Sequence, residues 1–218
     1  MNNLVGDPDF EGLLLSMRKD LKAMNRHYKD IGFIPEGELV RRTQNTTGYD
    51  LVRQTDFPIN LIIETAELAS RANPKNLVLF IQRLSHPEAA VRYWAAVGCG
   101  ILRAESKPAK AILISRLNDP SADVRIAAAE ALVYLGAEKE ALAQLMLHLK
   151  HPLVMVRIHA ANVLEAIGSK AEPIANELQA MVDSMQQLKT ERKLPDDYHL
   201  LTALSYTCLL YTSDAADE

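Results

Sequence analysis

Three stretches of the sequence repeat one pattern of 20 residues. Residues 84–103 read LSHPEAAVRYWAAVGCGILR, residues 117–136 read LNDPSADVRIAAAEALVYLG, and residues 149–168 read LKHPLVMVRIHAANVLEAIG. Their prolines, Pro87, Pro120 and Pro152, are separated by 33 and then 32 residues. A near-constant period of this length is typical of proteins in which one unit cannot bury its apolar side alone. The pattern therefore predicts a stack of similar units.

Each unit is predicted to be a helical hairpin, because the proline of its central turn cannot continue the first helix. The first helices are expected to end at leucines: Leu84, Leu117 and Leu149. The second helices are expected to start near valines: Val91, Val124 and Val156. Pairs of alanines follow at helical spacing and allow neighbouring helices to approach closely. Gly136 and Gly168 are predicted to end two of the second helices, whereas Arg103 replaces the glycine in the first unit.

The shared pattern L-x-D/H-P-x-x-x-V-R-x-x-A-A-x-x-L-x-x-L-G resembles HEAT repeats, in particular the short bacterial type. Its period is shorter than the roughly 40 residues of longer HEAT units. The resemblance implies an all-α fold, an α-solenoid of HEAT-like helical hairpins preceded by an N-terminal helix and a linker. The solenoid is expected at residues 56–207, with clear units at about 74–103, 107–136 and 140–168 and partial units at both ends.

The flanks of the clear units also carry helical patterns. Residues 58–72 predict an amphipathic helix that caps the stack, residues 171–189 predict another, and residues 196–206 would begin a further one. Residues 208–218, CLLYTSDAADE, break the pattern and resemble the translation of a sequencing adapter. We interpret them as an artefact outside the fold, the alternative being a natural tail.

Residues 1–55 precede the solenoid and are predicted to contain an amphipathic helix from about Asp9 to Lys29. Its apolar side would carry Phe10, Leu13, Leu14, Met17, Leu21 and Met24. The stretch resembles the C-terminal end of type I (formylglycine) sulfatases that carry a HEAT extension. The residues that match are Asn3, Leu4, Asp7, Pro8 and Phe10, followed by a linker-like segment at 30–36. The resemblance implies that residues 1–55 are the tail of a sulfatase-like catalytic domain plus a linker, with Met1 internal to a longer chain.

We predict no catalytic, cofactor-binding or metal-binding residue in this chain. A sulfatase needs a C-x-P-x-R or S-x-P-x-R motif and oxygen and histidine ligands for a divalent cation such as calcium. The sequence contains neither set, and Cys99 lies in Cys-Gly-Ile-Leu-Arg within a repeat helix. Motifs for phosphate loops, dinucleotides, serine hydrolases and zinc proteases are also absent from the sequence. The parent sulfatase, and not this fragment, would require the cation.

Composition limits the class of partner. Hydrophobic residues make up 48% of the chain, which is enough for a substantial core. The formal net charge of −4 and the pI near 5.9 give no basic field for phosphate backbones, so nucleic acid is not an expected partner. The longest apolar run, Trp94 to Leu102, is far shorter than the roughly 20 residues of a membrane span. We expect no membrane contact.

Two sets of polar repeat residues are candidates for binding. Arg92, Arg125 and Arg157 occupy equivalent positions and form a ladder. They either bind an anionic partner or, as we favour, pair with acidic residues and helix ends between repeats. Asp119 and Asp123 are candidate partners of these arginines. The histidines His86, His148, His151 and His159 lack metal-ligand spacing and are interpreted as turn and surface residues.

A surface for a partner is predicted on the non-consensus side of the second helices, which lines the concave side in HEAT folds. Its residues are Tyr93, Val97, Ile126, Glu130, Ile158 and Asn162. An apolar stripe there could receive a peptide or a domain, but ordinary packing against a neighbouring repeat is an equal explanation. Trp94, the single tryptophan, could anchor either arrangement.

These observations favour a non-catalytic C-terminal fragment of a multidomain sulfatase, whose solenoid serves packing or protein interaction. The expected partner is a protein or the missing catalytic domain, and the resemblance implies a periplasmic or exported location. The alternative is a free-standing HEAT adaptor that binds a protein partner. A third possibility is a bilin lyase, a class that also uses short HEAT-like repeats, although no motif favours it.

Overall fold

A computed structural model describes residues 3–190, which form helices joined by short turns, with no strand in that range. The helices are α1 (Glu11–Tyr28), α2 (Glu36–Arg42), α3 (Gly48–Leu51), α4 (Ile59–Ser70), α5 (Leu77–Arg83), α6 (Ala89–Leu102), α7 (Lys110–Arg116), α8 (Ala122–Val133), α9 (Glu138–His148), α10 (Val154–Ile167) and α11 (Ala175–Thr190). Five 3-10 turns accompany them in this range. The predictions for residues 196–206 and 208–218 lie outside the described residues.

The hairpins stack so that their first helices form one layer and their second helices another, which confirms the predicted all-α solenoid. Each first helix, α5, α7 or α9, packs on the second helix of its own hairpin, α6, α8 or α10. The second helices also pack on one another in chain order, beginning with α4. The first helices α5 and α7 make few contacts with each other. The second helices therefore form the inner layer of the stack.

The helix ends follow from the proline turns. The first helices end directly before the predicted leucines, which serve as C-caps. The second helices begin two residues earlier than expected, at Ala89, Ala122 and Val154. The residue after each proline takes an extended conformation and acts as the N-cap, so the helix starts immediately behind it.

The ends of the second helices require an unusual backbone. Gly136 and Gly168 have φ of +68° and +55°, as their predicted capping role demands. Arg103, at the equivalent place in the first unit, adopts φ of +50° despite its side chain. Its guanidinium lies 4.1 Å from the centre of the Tyr134 ring. This cation-π contact offsets part of the cost of the strained residue.

One continuous hydrophobic core runs through the repeats from Ala69 to Val182. The predicted alanine pairs are completely buried, as are large side chains such as Phe80, Leu113 and Leu164. The ring of Phe80 in α5 lies against Gly98 in α6, where an added Cβ atom would approach the ring carbons to 2.7–2.9 Å. Close approach of helices, which small residues permit, thus builds the core.

The N-terminal part of the chain behaves as two different segments. Helix α1 corresponds to the predicted amphipathic helix and touches the stack lightly, with an ion pair from Lys22 Nζ to Glu67 Oε2 of 2.7 Å. Helix α2, in contrast, packs on α8 and α10. A small second core of Ile34, Leu51, Val52, Ile59 and Ile63 joins the intervening chain to α4.

In residues 3–190, no helix has the length and apolar character of a membrane span.

Candidate functional site

The arginine ladder lies at the proline turns. The guanidinium Nη1 of each arginine donates to the carbonyl of the residue before the proline in its own unit, at 2.7 Å for Arg92, 2.6 Å for Arg125 and 2.7 Å for Arg157. Each arginine therefore closes the turn that precedes its helix. These contacts support a structural role for the ladder, since the donors are used inside the repeat.

Between units, Arg92 and Arg125 pair with acceptors of different kinds. Arg92 donates from Nε and Nη2 to the two carboxylate oxygens of Asp119, both at 2.7 Å. Asp119, a candidate acidic partner of the ladder, thus pairs with the arginine of the preceding unit. Arg125 Nε instead donates to Nε2 of His148 at 3.0 Å. The third unit offers no aspartate at the position of Asp119, and a histidine from α9 supplies the acceptor.

His148 is not a surface residue, contrary to our expectation, and His159 is only partly exposed. His148 is buried, and its Nδ1 lies 2.6 Å from the Gln144 carbonyl oxygen. Burial lowers the pKa of His148, and the nearby positive charge of Arg125 lowers it further. With the Gln144 carbonyl at Nδ1 and the Arg125 donor at Nε2, the neutral ring with its proton on Nδ1 satisfies both contacts. His159 is half-buried, with Nδ1 2.8 Å from Oδ1 of the buried Asp123. Asp123, the second candidate partner of the ladder, therefore pairs with a histidine side chain.

We define the inner face as the side of α6, α8 and α10 that carries Tyr93, Ile126, Ile158 and their neighbours at helical spacing. The rings of Tyr93 on α6 and His159 on α10 meet edge to face, with centroids 5.7 Å apart, although α8 lies between the two helices. Side chains two units apart meet in this way only where the stack curves inward. The inner face is therefore concave.

The predicted surface residues divide by burial. Asn162 is exposed, whereas Tyr93, Val97, Glu130 and Ile158 are half-buried. Ile126 is completely buried and belongs to the core, so it cannot contribute to an open surface. The exposed member of this set, Asn162, lies in the C-terminal half of α10 and marks the open part of the inner face.

The other part of the inner face is covered by the chain itself. We call residues 33–42 the inner segment. Trp94 Nε1 donates to the Phe33 carbonyl oxygen at 2.8 Å. Gly37 lies so close to α8 and α10 that a Cβ atom would stand 2.6 Å from Asp123 Oδ2 and 2.7 Å from Val156 Cγ2. Trp94 therefore anchors an intramolecular contact that its sequence position did not reveal.

The inner segment ends in a network of charges. Glu38 is buried and accepts from Arg41 at 3.1 and 2.6 Å. Arg42 Nη1 donates to Glu88 Oε1 at 2.8 Å, which ties α2 to the first proline turn. These groups border an open polar cavity of about 610 Å³ that also contacts Arg92, Arg116 and Asp119. Because its carboxylates all accept from arginines, the cavity rim is saturated with internal ion pairs.

The inner face carries a carboxyl group and a phenol whose pKa values are both raised. Burial raises the pKa of Glu130, and His159 opposes the shift. Burial also raises the pKa of Tyr93, together with the negative charges of Asp123 and Glu130. The tyrosine hydroxyl therefore stays protonated and is a hydrogen-bond donor. An arrangement of carboxyl groups, a phenol and apolar side chains suits a polypeptide ligand better than an anion. Within residues 3–190, no three histidine, cysteine or acidic side chains converge as metal ligands would.

Sequence reasoning missed the inner segment because Phe33, Gly37 and Glu38 belong to no repeat. Gly37 lies between two glutamates, and a glycine in such a polar stretch by itself predicts only a turn. Nothing in the local pattern connects it with Asp123.

A comparison with known protein families matches residues 65–132 and 111–193 to HEAT repeats. The two matches overlap and together span more than half of the chain. They include all three hairpins and α11. A search of curated proteins found no match.

Proposed function

Because this chain belongs to the HEAT repeat family, we propose that it is a protein-interaction module that binds a polypeptide partner on its inner face. HEAT-type stacks present extended concave surfaces, and such surfaces commonly serve protein binding. The observation that supports this role here is that a polypeptide, the inner segment, already occupies part of that face through Trp94 and Gly37. The open part, around Asn162, offers a continuation of the same surface.

Site-specific photocrosslinking tests this proposal. A photoreactive residue at Asn162, exposed on the inner face, should give a discrete adduct with a partner protein from the source cells. The matched control carries the same group at Val78, which is exposed on α5 in the outer layer. The purified partner should then bind the chain, and Asn162→Arg should weaken that binding. Equal adducts at both positions would contradict the proposal.

We further propose that the chain is a non-catalytic C-terminal fragment of a multidomain sulfatase. The supporting residues are Asn3, Leu4, Asp7, Pro8 and Phe10, which resemble the end of a type I sulfatase domain. A second support is the apolar stripe of α1, whose members are each more than half exposed: Leu13, Met17, Leu21, Met24 and Tyr28. The stripe continues into a cavity of about 390 Å³ beside Ile31 and Tyr49. Exposed apolar surface of this extent is typical of an interface, and the catalytic domain would cover it.

On this proposal, the parent enzyme would bind a divalent cation such as calcium in the catalytic domain and would be periplasmic or exported. The test is to read the source DNA on both sides of the coding region. An in-frame upstream domain with a formylglycine motif is the expected result. A ribosome-binding site immediately before Met1 would favour the alternative, a free-standing HEAT adaptor.

A further inference from the structure

We infer that the inner segment is an exchangeable, built-in ligand, and that the inner face accepts a partner segment of the same chemistry. This inference rests on the proposed protein-interaction function. The partner segment would carry two adjacent apolar residues followed by proline, glycine two positions after the proline, and arginine five positions after the glycine. In the chain itself these are Phe33, Ile34, Pro35, Gly37 and Arg42.

The apolar anchor explains the first part of this pattern. Ile34 is buried in the second core, and the ring of Phe33 lies 6.3 Å from that of Trp94. The hydrogen bond from Trp94 goes to the backbone carbonyl of Phe33, a group that every residue type offers. A side chain of similar size in a foreign peptide would meet the same contacts, so this end selects apolar character and not one residue type.

Gly37 supplies the selectivity. The φ angle of Gly37 lies outside the positive range that favours glycine, so the backbone conformation does not require a glycine here. The demand comes from the closeness of Asp123 and Val156. Asp123 is pinned by His159, and Val156 is a β-branched side chain in a helix, so neither can yield readily. Any larger residue would lift the segment away from the face.

The side of the inner segment that faces away from α8 and α10 shows how the segment can dissociate from the inner face. Glu36, Val40 and Arg41 are exposed, and the connection to α3 at residues 44–47 is exposed throughout. Helix α2 has only 7 residues, and a helix that short is unstable without a surface to pack on. The segment is held by the buried residues Ile34, Pro35, Gly37 and Glu38 and by the ion pair between Arg42 and Glu88. A competing peptide has to supply the same buried contacts and the same ion pair.

The experiment uses the full chain with a protease site in place of residues 44–46. After cleavage, the inner segment is held without a covalent bond, and a fluorescent peptide of residues 31–43 is added in excess. We expect uptake of the peptide, followed by anisotropy. Emission of Trp94, the single tryptophan, should shift to longer wavelength when Gly37→Ala is introduced in the uncleaved chain, because the segment is then displaced.

Two matched peptides decide the specificity. The peptide with Gly37→Ala should bind about tenfold or more weakly, a loss that corresponds to about 1.4 kcal/mol. The peptide with Glu36→Ala should bind as well as the unmodified one, because this side chain is exposed. Equal binding of the glycine and alanine peptides would overturn the inference. So would an absence of uptake while circular dichroism shows that the cleaved chain is folded. In either case, a partner adduct at Asn162 would leave the proposed interaction function standing.

Discussion

Arg92 and Asp119 form an ion pair with two hydrogen bonds that links consecutive repeats, although both side chains are almost completely withdrawn from solvent. Asp119 also accepts from the backbone N–H of Ser121 and thereby caps the second proline turn. A buried carboxylate is stable only while such partners satisfy it. The pair therefore couples the geometry of one turn to the helix of the unit before it.

Removal of this carboxylate should be strongly destabilising. We expect Asp119→Ala to lower the free energy of unfolding by about 3–5 kcal/mol, because the guanidinium of Arg92 is left buried without its partner. Thermal unfolding followed by circular dichroism measures the effect. Glu138→Ala is the control, since its ion pair with Lys170 is exposed and is expected to contribute about 0–1 kcal/mol. Similar losses in the two variants would contradict the role of the buried pair.

The two glycines of α6 should respond in opposite directions to one substitution. Gly98→Ala is expected to cost about 1–3 kcal/mol, since the new Cβ would overlap the ring of Phe80. Gly100→Ala should stabilise the chain by about 0.4–1 kcal/mol, because its Cβ would have only ordinary contacts, the nearest 3.7 Å from the Ala131 backbone. Chemical denaturation of both variants under one set of conditions provides the comparison. Stabilisation by Gly98→Ala would show that Phe80 does not require the glycine.

Acid should weaken the fold through His148. Burial and the adjacent Arg125 lower the pKa of this ring in the folded state below its ordinary value of 6.5. A group with a lowered folded pKa stabilises the fold above its unfolded pKa, and that contribution is lost as pH falls through 6.5 toward the folded value. The pKa of His151 is also lowered, mainly by burial, so the protonation of His151 destabilises the fold in acid as well.

The measurement is the free energy of unfolding between pH 7.5 and pH 5. We expect it to fall in the unmodified chain and to fall less in His148→Gln, which does not titrate. His27→Gln, at an exposed position on α1, is the control and should keep the full pH dependence. An unchanged slope in His148→Gln would refute the assignment to this histidine.

Cys99 should resist thiol reagents as long as the chain is folded. It is a free cysteine in the core, and burial raises the pKa of its thiol to about 12. The thiolate is the reactive form of cysteine, and the raised pKa keeps Cys99 as a thiol. Burial in addition keeps reagents away from its sulfur atom. Labelling in a Cys208→Ser background isolates the signal. We expect slow reaction in buffer and rapid reaction in denaturant, and equal rates would be inconsistent with a buried thiol.

The sequence identified the fold because its information is local and periodic. Pro87 and Gly136 mark helix ends through their own backbone preferences, and each hairpin contacts chiefly its neighbours. The same pattern placed the arginine ladder at the turns. It could not name the partner of each arginine, because His148 entered the ladder from α9 and not from the repeated turn.

The candidate site was only partly accessible from the sequence. Periodicity placed Tyr93, Ile158 and Asn162 on one side of the inner helices, but Ile126 at the same register is buried. Burial at that position depends on how neighbouring units pack, which the spacing of residues within one helix does not specify.

By itself, the sequence determined a stack of helical hairpins, since proline turns, alanine pairs and apolar spacing act within about one repeat of each other. Only the tertiary structure decided that residues 33–42 lie on the inner face. The hydrogen bond from Trp94 to Phe33 joins residues 61 positions apart. A contact of this kind depends on shape and on the exclusion of a single Cβ atom at Gly37, and neither property leaves a periodic signal in the chain.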